Sequence, residues 1–113
     1  MTPNPAVFLA FLEQQRAEYR ALLPERLVEI ESLWRQVLQG EEPSKALATL
    51  ERCAHSLAGS GATFGCPGLG SAARQLELAV NPLLDSAHPL SRESTAVLAQ
   101  AVEALQCSFP VAS

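Results

Sequence analysis

"AHSLAGSGATFGCPGLG", Ala54 to Gly70, sets one histidine ahead of every glycine in the 113-residue chain except Gly40. The second half of the run would suit a loop that cradles phosphate, whereas the first half reads as helix. Winding the preceding residues at ~100° per residue places Ala46, Leu47, Leu50, Cys53, Ala54, Leu57, Gly61 and Phe64 in one broad apolar sector. That spacing predicts a helix from about Lys45 to Thr63, with Ser44 as its N-cap. Gly65 is expected to take positive φ at its end, and Pro67 to open the next helix. The glycines therefore belong to a helix, a turn and a second helix. No Gly-Lys-Ser/Thr closes the run, so it is not a P-loop.

The same periodicity extends in both directions. Downstream, Leu69, Ala72, Ala73, Leu76 and Val80 form one stripe, and "NPLLDSAHPLS" then reads as a loop. Ser91 is placed to cap a last helix with Val97, Ala101, Ala104, Leu105 and Ser108 facing inward, and the tail "PVAS" is expected to fray. Upstream, Phe8, Phe11 or Leu12, Tyr19 and Leu22 or Leu23 recur at helical intervals from about Pro5 to Leu22. Pro24 is expected to end that segment and open another, carrying Leu27, Ile30, Trp34, Val37 and Leu38 and ended by Gly40. Trp34 and Phe64 are expected in the core. Nothing alternates with period two long enough to make a sheet. Short connections between amphipathic helices predict an all-α, up-and-down antiparallel four-helix bundle with an additional N-terminal helix, residues 1–113 forming one domain.

Composition narrows the function. The net charge of −4 argues against nucleic acid, which attracts basic patches. No apolar run approaches bilayer length, and "MTPNPAVFLAFLEQQ" lacks the basic start of a signal peptide, so a membrane role is not expected and Met1 favours a free-standing protein. Cys53, Cys66 and Cys107 are odd in number and unpaired in spacing, which fits reduced thiols in the cytoplasm. Cys53 and Cys107 are expected to be buried, Cys66 is the one to test for exposure, and His88 reads as a solvated turn residue.

His55 is the exception to this plain picture. It lies roughly 145° from the centre of the apolar sector and is expected to point to solvent. Around it on the same face fall Ala48, Glu51, Arg52, Ala58, Gly59 and Ala62. Only Glu51 and Arg52 are large, and both precede it. Gly59 in a helix interior costs about 1 kcal/mol against alanine, which makes sense where another molecule must come close. Cys53 points away from His55, Cys66 lies past the helix end, and no carboxylate follows His55 by three or four residues, so no metal site is expected. A hydrolase is not expected either, because no carboxylate is placed locally to orient the imidazole and no nucleophile elbow follows a strand. An exposed imidazole can still accept a phosphoryl group through its free ring nitrogen. Such transfer is mostly positioning and charge neutralisation, which a partner carrying magnesium and a lysine can supply.

"AHSLAGSGATFGCPGLGSAARQLE" resembles the histidine-containing phosphotransfer (Hpt) domains of bacterial two-component relays. Their signature is His-x-x-Lys-Gly, five variable residues including an apolar one, then Gly; His55, Gly59, Phe64 and Gly65 match, and Leu69, Leu76 and Glu77 continue the pattern. The resemblance implies a helical bundle with the histidine exposed midway along a helix. It further implies a phosphoryl carrier, not an enzyme, that holds the group on His55. A sensor histidine kinase, hybrid or not, and response-regulator receiver domains would be its partners. The chain would be a cytoplasmic monomer with no cofactor of its own, magnesium residing in the partner. Ala48, Glu51, Arg52, Ala58, Gly59 and Ala62 would form the docking face. Ala58 departs from the family's lysine, which removes a cation near the phosphoryl group. Arg52 either substitutes for it in part or pairs only with Glu51 or solvent. The departure leaves a second reading open, a non-phosphorylated Hpt-like module that docks receivers or kinases.

Overall fold

The chain's punctuation residues set where its helices begin and end. In a computed structural model, which describes residues 4–40, 42–85 and 90–110, four helices follow one another: α1 (Pro5–Gln39), α2 (Pro43–Gly61), α3 (Pro67–Val80) and α4 (Arg92–Ser108). Proline stands at the first turn of α1, α2 and α3, where its missing N–H costs nothing. Asn4 and Ser91 cap α1 and α4 with their side chains. Gly40 (φ +72°) ends α1 and Gly65 (φ +85°) turns the chain between α2 and α3. No strand occurs among the described residues. Each helix packs on the next, and α4 returns to touch α1.

The expected all-α four-helix architecture is present, with one correction at its start. The additional N-terminal helix does not stand apart: Pro24 lies inside α1, a single helix of 35 residues. Proline removes the donor that would bond the Arg20 carbonyl, but Arg20 and Pro24 both face solvent, where water can serve instead. The packed stripe Tyr19, Leu23, Leu27, Ile30, Leu33, Val37 also keeps phase through the proline, so burial on both sides holds the two halves in line. Pro24→Ala should restore the lost hydrogen bond. We expect about 2 kcal/mol of added stability, from the ~3 kcal/mol interior penalty less the ~1 kcal/mol that proline saves by stiffening the unfolded chain. A denaturant midpoint that fails to rise would show that the fold depends on a bend at this point.

Other boundaries and faces shift by a residue or so. Ser44 lies inside α2, because Pro43 has its φ preset for a first helical turn and starts the helix two residues before Lys45, after Glu42. The inward face of α4 is Leu98, Val102 and Leu105, not one centred on Val97 and Ala104, both of which are exposed. That rotation also turns Cys107 outward, contrary to its expected burial, while Cys53 and Cys66 are half-buried. Leu38 is exposed and Leu33 takes its place in the core. Trp34 packs at the margin of the core, half-buried, whereas Phe64, also half-buried, lies off the core and stacks its ring on Tyr19 with centroids 4.8 Å apart. Part of the expected loop after α3 is a turn of 3-10 helix, Asn81–Leu83. His88 and the last three residues of the "PVAS" tail lie outside the described residues.

Pairings between α1 and α2 fix an antiparallel register: Cys53 meets Glu29, Ser60 meets Tyr19, and Gly65 lies against Arg16. Residues before about Gln15 therefore run past the α2–α3 turn, which leaves Val7, Phe8, Leu9 and Phe11 more than half exposed. This is why the expected inward placing of Phe8 and Phe11 fails. The molecule is long in consequence, 59 × 29 × 19 Å.

Candidate functional site

The α2–α3 contact decides what surrounds His55. A methyl group built on Gly61 would lie 2.7 Å from the Gly70 amide nitrogen, 2.8 Å from its Cα and 2.9 Å from the Cys66 carbonyl. The two helices thus meet backbone to backbone at Gly61 and Gly70. Counting back along α2 and forward along α3 from that contact brings His55 opposite Glu77.

Glu77 interrupts the apolar face of α3. It follows Ala73 by four residues and precedes Val80 by three, both fully buried, and is itself 6% exposed. Its Oε2 is hydrogen-bonded to His55 Nδ1, and its Oε1 lies 3.9 Å from the exposed Arg74 guanidinium. His55, with a side chain 72% exposed, points to solvent as expected. The expectation that no carboxylate orients it is overturned by Glu77. A carboxylate only accepts, so Nδ1 is the ring nitrogen that donates to it, and Nε2 is the outward one, with a lone pair whenever the ring is neutral.

The remaining residues of the expected docking face surround the imidazole. Ala48, Glu51 and Ala58 are half-buried, whereas Arg52, Gly59 and Ala62 are exposed. No atom lies within 4 Å of a methyl group built on Gly59, so the surface beside His55 is open. Ala58 packs on the α3 side against the core. Arg52 lies on the opposite flank and donates to Thr49 Oγ1 (3.3 Å), not to Glu51. It lines a groove of about 240 Å³ between α1 and α2 together with Arg26, Glu29, Thr49 and Ser56. In the same groove the Cys53 thiol donates to Glu29 Oε1 (3.2 Å). Burial and the neighbouring carboxylate push its pKa up to about 11, so it stays a protonated, unreactive thiol at neutral pH.

Spacing along one helix does not reveal Glu77, which comes from α3, and it places Glu51, one turn before His55, on the docking face without marking it as a partner. Donor atoms of Glu51, His55 and Glu77 all lie within 4.8 Å of one another. The available signal was the acidic residue set at core spacing in α3.

A four-helix bundle that exposes one oriented histidine midway along its second helix defines a class of proteins that present an imidazole to a partner. The sequence model of the Hpt domain matches residues 7–107, and the chain belongs to that family. No curated protein and no solved structure matches the chain. Membership places it in two-component signalling, in phosphotransfer or receiver docking, among domains that interact with receiver domains and histidine kinases. No helix among the described residues is long and apolar enough to cross a membrane.

Proposed function

We propose that the chain is a phosphoryl carrier in a phosphorelay, accepting the group on His55 Nε2 from a receiver aspartyl phosphate or a histidine kinase and passing it to a receiver. The observation that carries this reading is an exposed imidazole whose Nδ1 is tied to a buried carboxylate. In transfer from a receiver, the Nε2 lone pair attacks phosphorus, the bond from phosphorus to the aspartyl oxygen breaks, and the aspartate leaves as carboxylate. The ring keeps its Nδ1 proton and becomes cationic as the N–P bond forms, and Glu77 stabilises that charge. The partner supplies magnesium and a lysine, so the chain acts as a carrier and not as an enzyme. It needs no cofactor for this, and the proposal takes residues 1–113 as one unit, a monomer working in the cytoplasm.

Ala48, Glu51, Arg52, Ala58, Gly59 and Ala62 form the docking face in this reading, small residues giving the partner close access. Gly59→Gln should leave the helix intact, because the position is open, yet slow transfer by obstructing approach. Unchanged transfer in the folded variant would show that close approach at Gly59 is not needed.

Ala58 favours a second reading, a module that docks receivers without being phosphorylated. The two separate on one experiment: incubation with magnesium and a phosphorylated receiver domain. Acid-labile, alkali-stable label on the wild type and none on His55→Gln supports the carrier. A receiver that binds tightly but never labels the chain supports the docking module.

A further inference from the structure

We propose that Glu51, His55 and Glu77 form a binding site for a divalent transition metal of the zinc class, and that its occupation switches His55 off as a nucleophile. The switch rests on the reading of His55 as phosphoryl acceptor; the site itself does not. Three observations carry it. Glu51 and His55 are four residues apart on α2 and so share one face, one turn apart. Glu77 comes from α3, fixed by the Gly61–Gly70 contact and more than nine-tenths buried, so one ligand is held rigidly beneath two on the surface. The donor atoms of all three lie within 4.8 Å of one another, and a tetrahedral metal with bonds near 2.0–2.2 Å holds its ligand atoms about 3.4 Å apart, so binding needs the exposed His55 ring to draw back from Glu77 and the half-buried Glu51 to close in, both by side-chain rotation.

The donor set selects the metal. One imidazole with two carboxylates suits zinc and its first-row neighbours, and the two carboxylate charges balance a divalent ion. Magnesium prefers oxygen ligands and keeps its waters, so the magnesium that serves a receiver would leave this site alone. Arg74 competes for Glu77 only weakly: it is 3.9 Å away, and its side chain is 63% exposed and can swing aside. Because His55 faces solvent, a water can complete the coordination.

The consequence follows from the ring's single proton. Without metal, Nδ1 carries it and Nε2 presents a lone pair. A metal held between Glu51 and Glu77 takes the Nδ1 lone pair, and the proton passes through solvent to Nε2. The imidazole stays neutral overall, but its outward nitrogen is now an N–H and has no electrons with which to attack phosphorus. Zinc would thereby control the carrier through tautomer choice, without changing the fold.

The test is a zinc titration of chelator-treated protein, followed by calorimetry and by the ring 15N shifts of His55. One zinc per chain is expected, with Nδ1 moving to a metal-bound shift and Nε2 becoming protonated. Glu51→Gln should weaken binding by at least about tenfold, since even an outer-shell partner is worth that much to a metal site. Transfer from a phosphorylated receiver should stop as the site fills and return on chelation. The site is overturned if zinc leaves Nδ1 unshifted, or if Glu51→Gln and Glu77→Gln bind it as tightly as the wild type. The switch is overturned if zinc fills the site while transfer continues. The binding arm needs no phosphotransfer, so a His55 that no receiver labels would defeat the carrier reading and leave the metal site standing.

Discussion

Gly61→Ala is expected to lower the melting temperature by roughly 10 °C, whereas the same substitution two residues earlier, Gly59→Ala, is expected to raise it. Alanine is the better helix former by about 1 kcal/mol at both positions. At Gly59 nothing opposes that gain, because the added methyl meets no atom within 4 Å. At Gly61 it meets three backbone atoms between 2.7 and 2.9 Å away, none of which can rotate aside as a side chain would. Overpacking of this kind costs about 1–3 kcal/mol, and a rigid obstacle puts it at the upper end, so the net loss is about 2 kcal/mol. Moving α3 outward also carries Glu77 away from His55, and transfer should fall with stability. Paired melting curves of the two variants check this directly. If both shift in the same direction, α2 and α3 are not in backbone contact at Gly61.

Glu77→Gln is expected to slow phosphoryl transfer on the order of 10- to 100-fold, since a hydrogen bond to a charged group is worth about 1.5–3 kcal/mol and the ring becomes charged as the N–P bond forms. The amide nearly keeps the carboxylate's shape, so the helices stay packed. It loses the negative charge that stabilises the ring as the N–P bond forms, and it can donate as well as accept, so it no longer fixes the proton on Nδ1. Two readouts separate this positioning role from a merely structural one. The wild-type ring should show the Nδ1–H tautomer by 15N shifts and the variant a mixture, while receiver affinity should change little. Full-rate transfer in a folded Glu77→Gln protein would mean that the hydrogen bond plays no part in the chemistry.

These two positions also show what the sequence could convey. The helix faces were legible because burial repeats with helical period: of the eight residues in the apolar sector, Ala46, Leu47, Leu50, Ala54, Leu57 and Gly61 are buried, and Cys53 and Phe64 are half-buried. His55 was legible for the complementary reason, as the residue opposite that sector. Glu77 was not, because its partner lies 22 residues away and the register between α2 and α3 is set by a backbone contact that no periodicity reveals. Pro24 misled for a related reason: a proline's local preference is to break a helix, and only the in-phase stripe on either side, packed against α2, outweighs it. The overhang of Phe8 and Phe11 likewise depends on where α2 ends relative to α1. Local spacing thus specified faces, while pairing between helices specified the site.

Locating the phosphoryl group on the ring is the most direct test of the central claim. After incubation with magnesium and a phosphorylated receiver domain, 31P–15N correlation on labelled protein should place the group on Nε2 of His55, with Nδ1 still protonated toward Glu77. Phosphorylation at Nδ1, at any other residue, or at none in the presence of a bound receiver would contradict it.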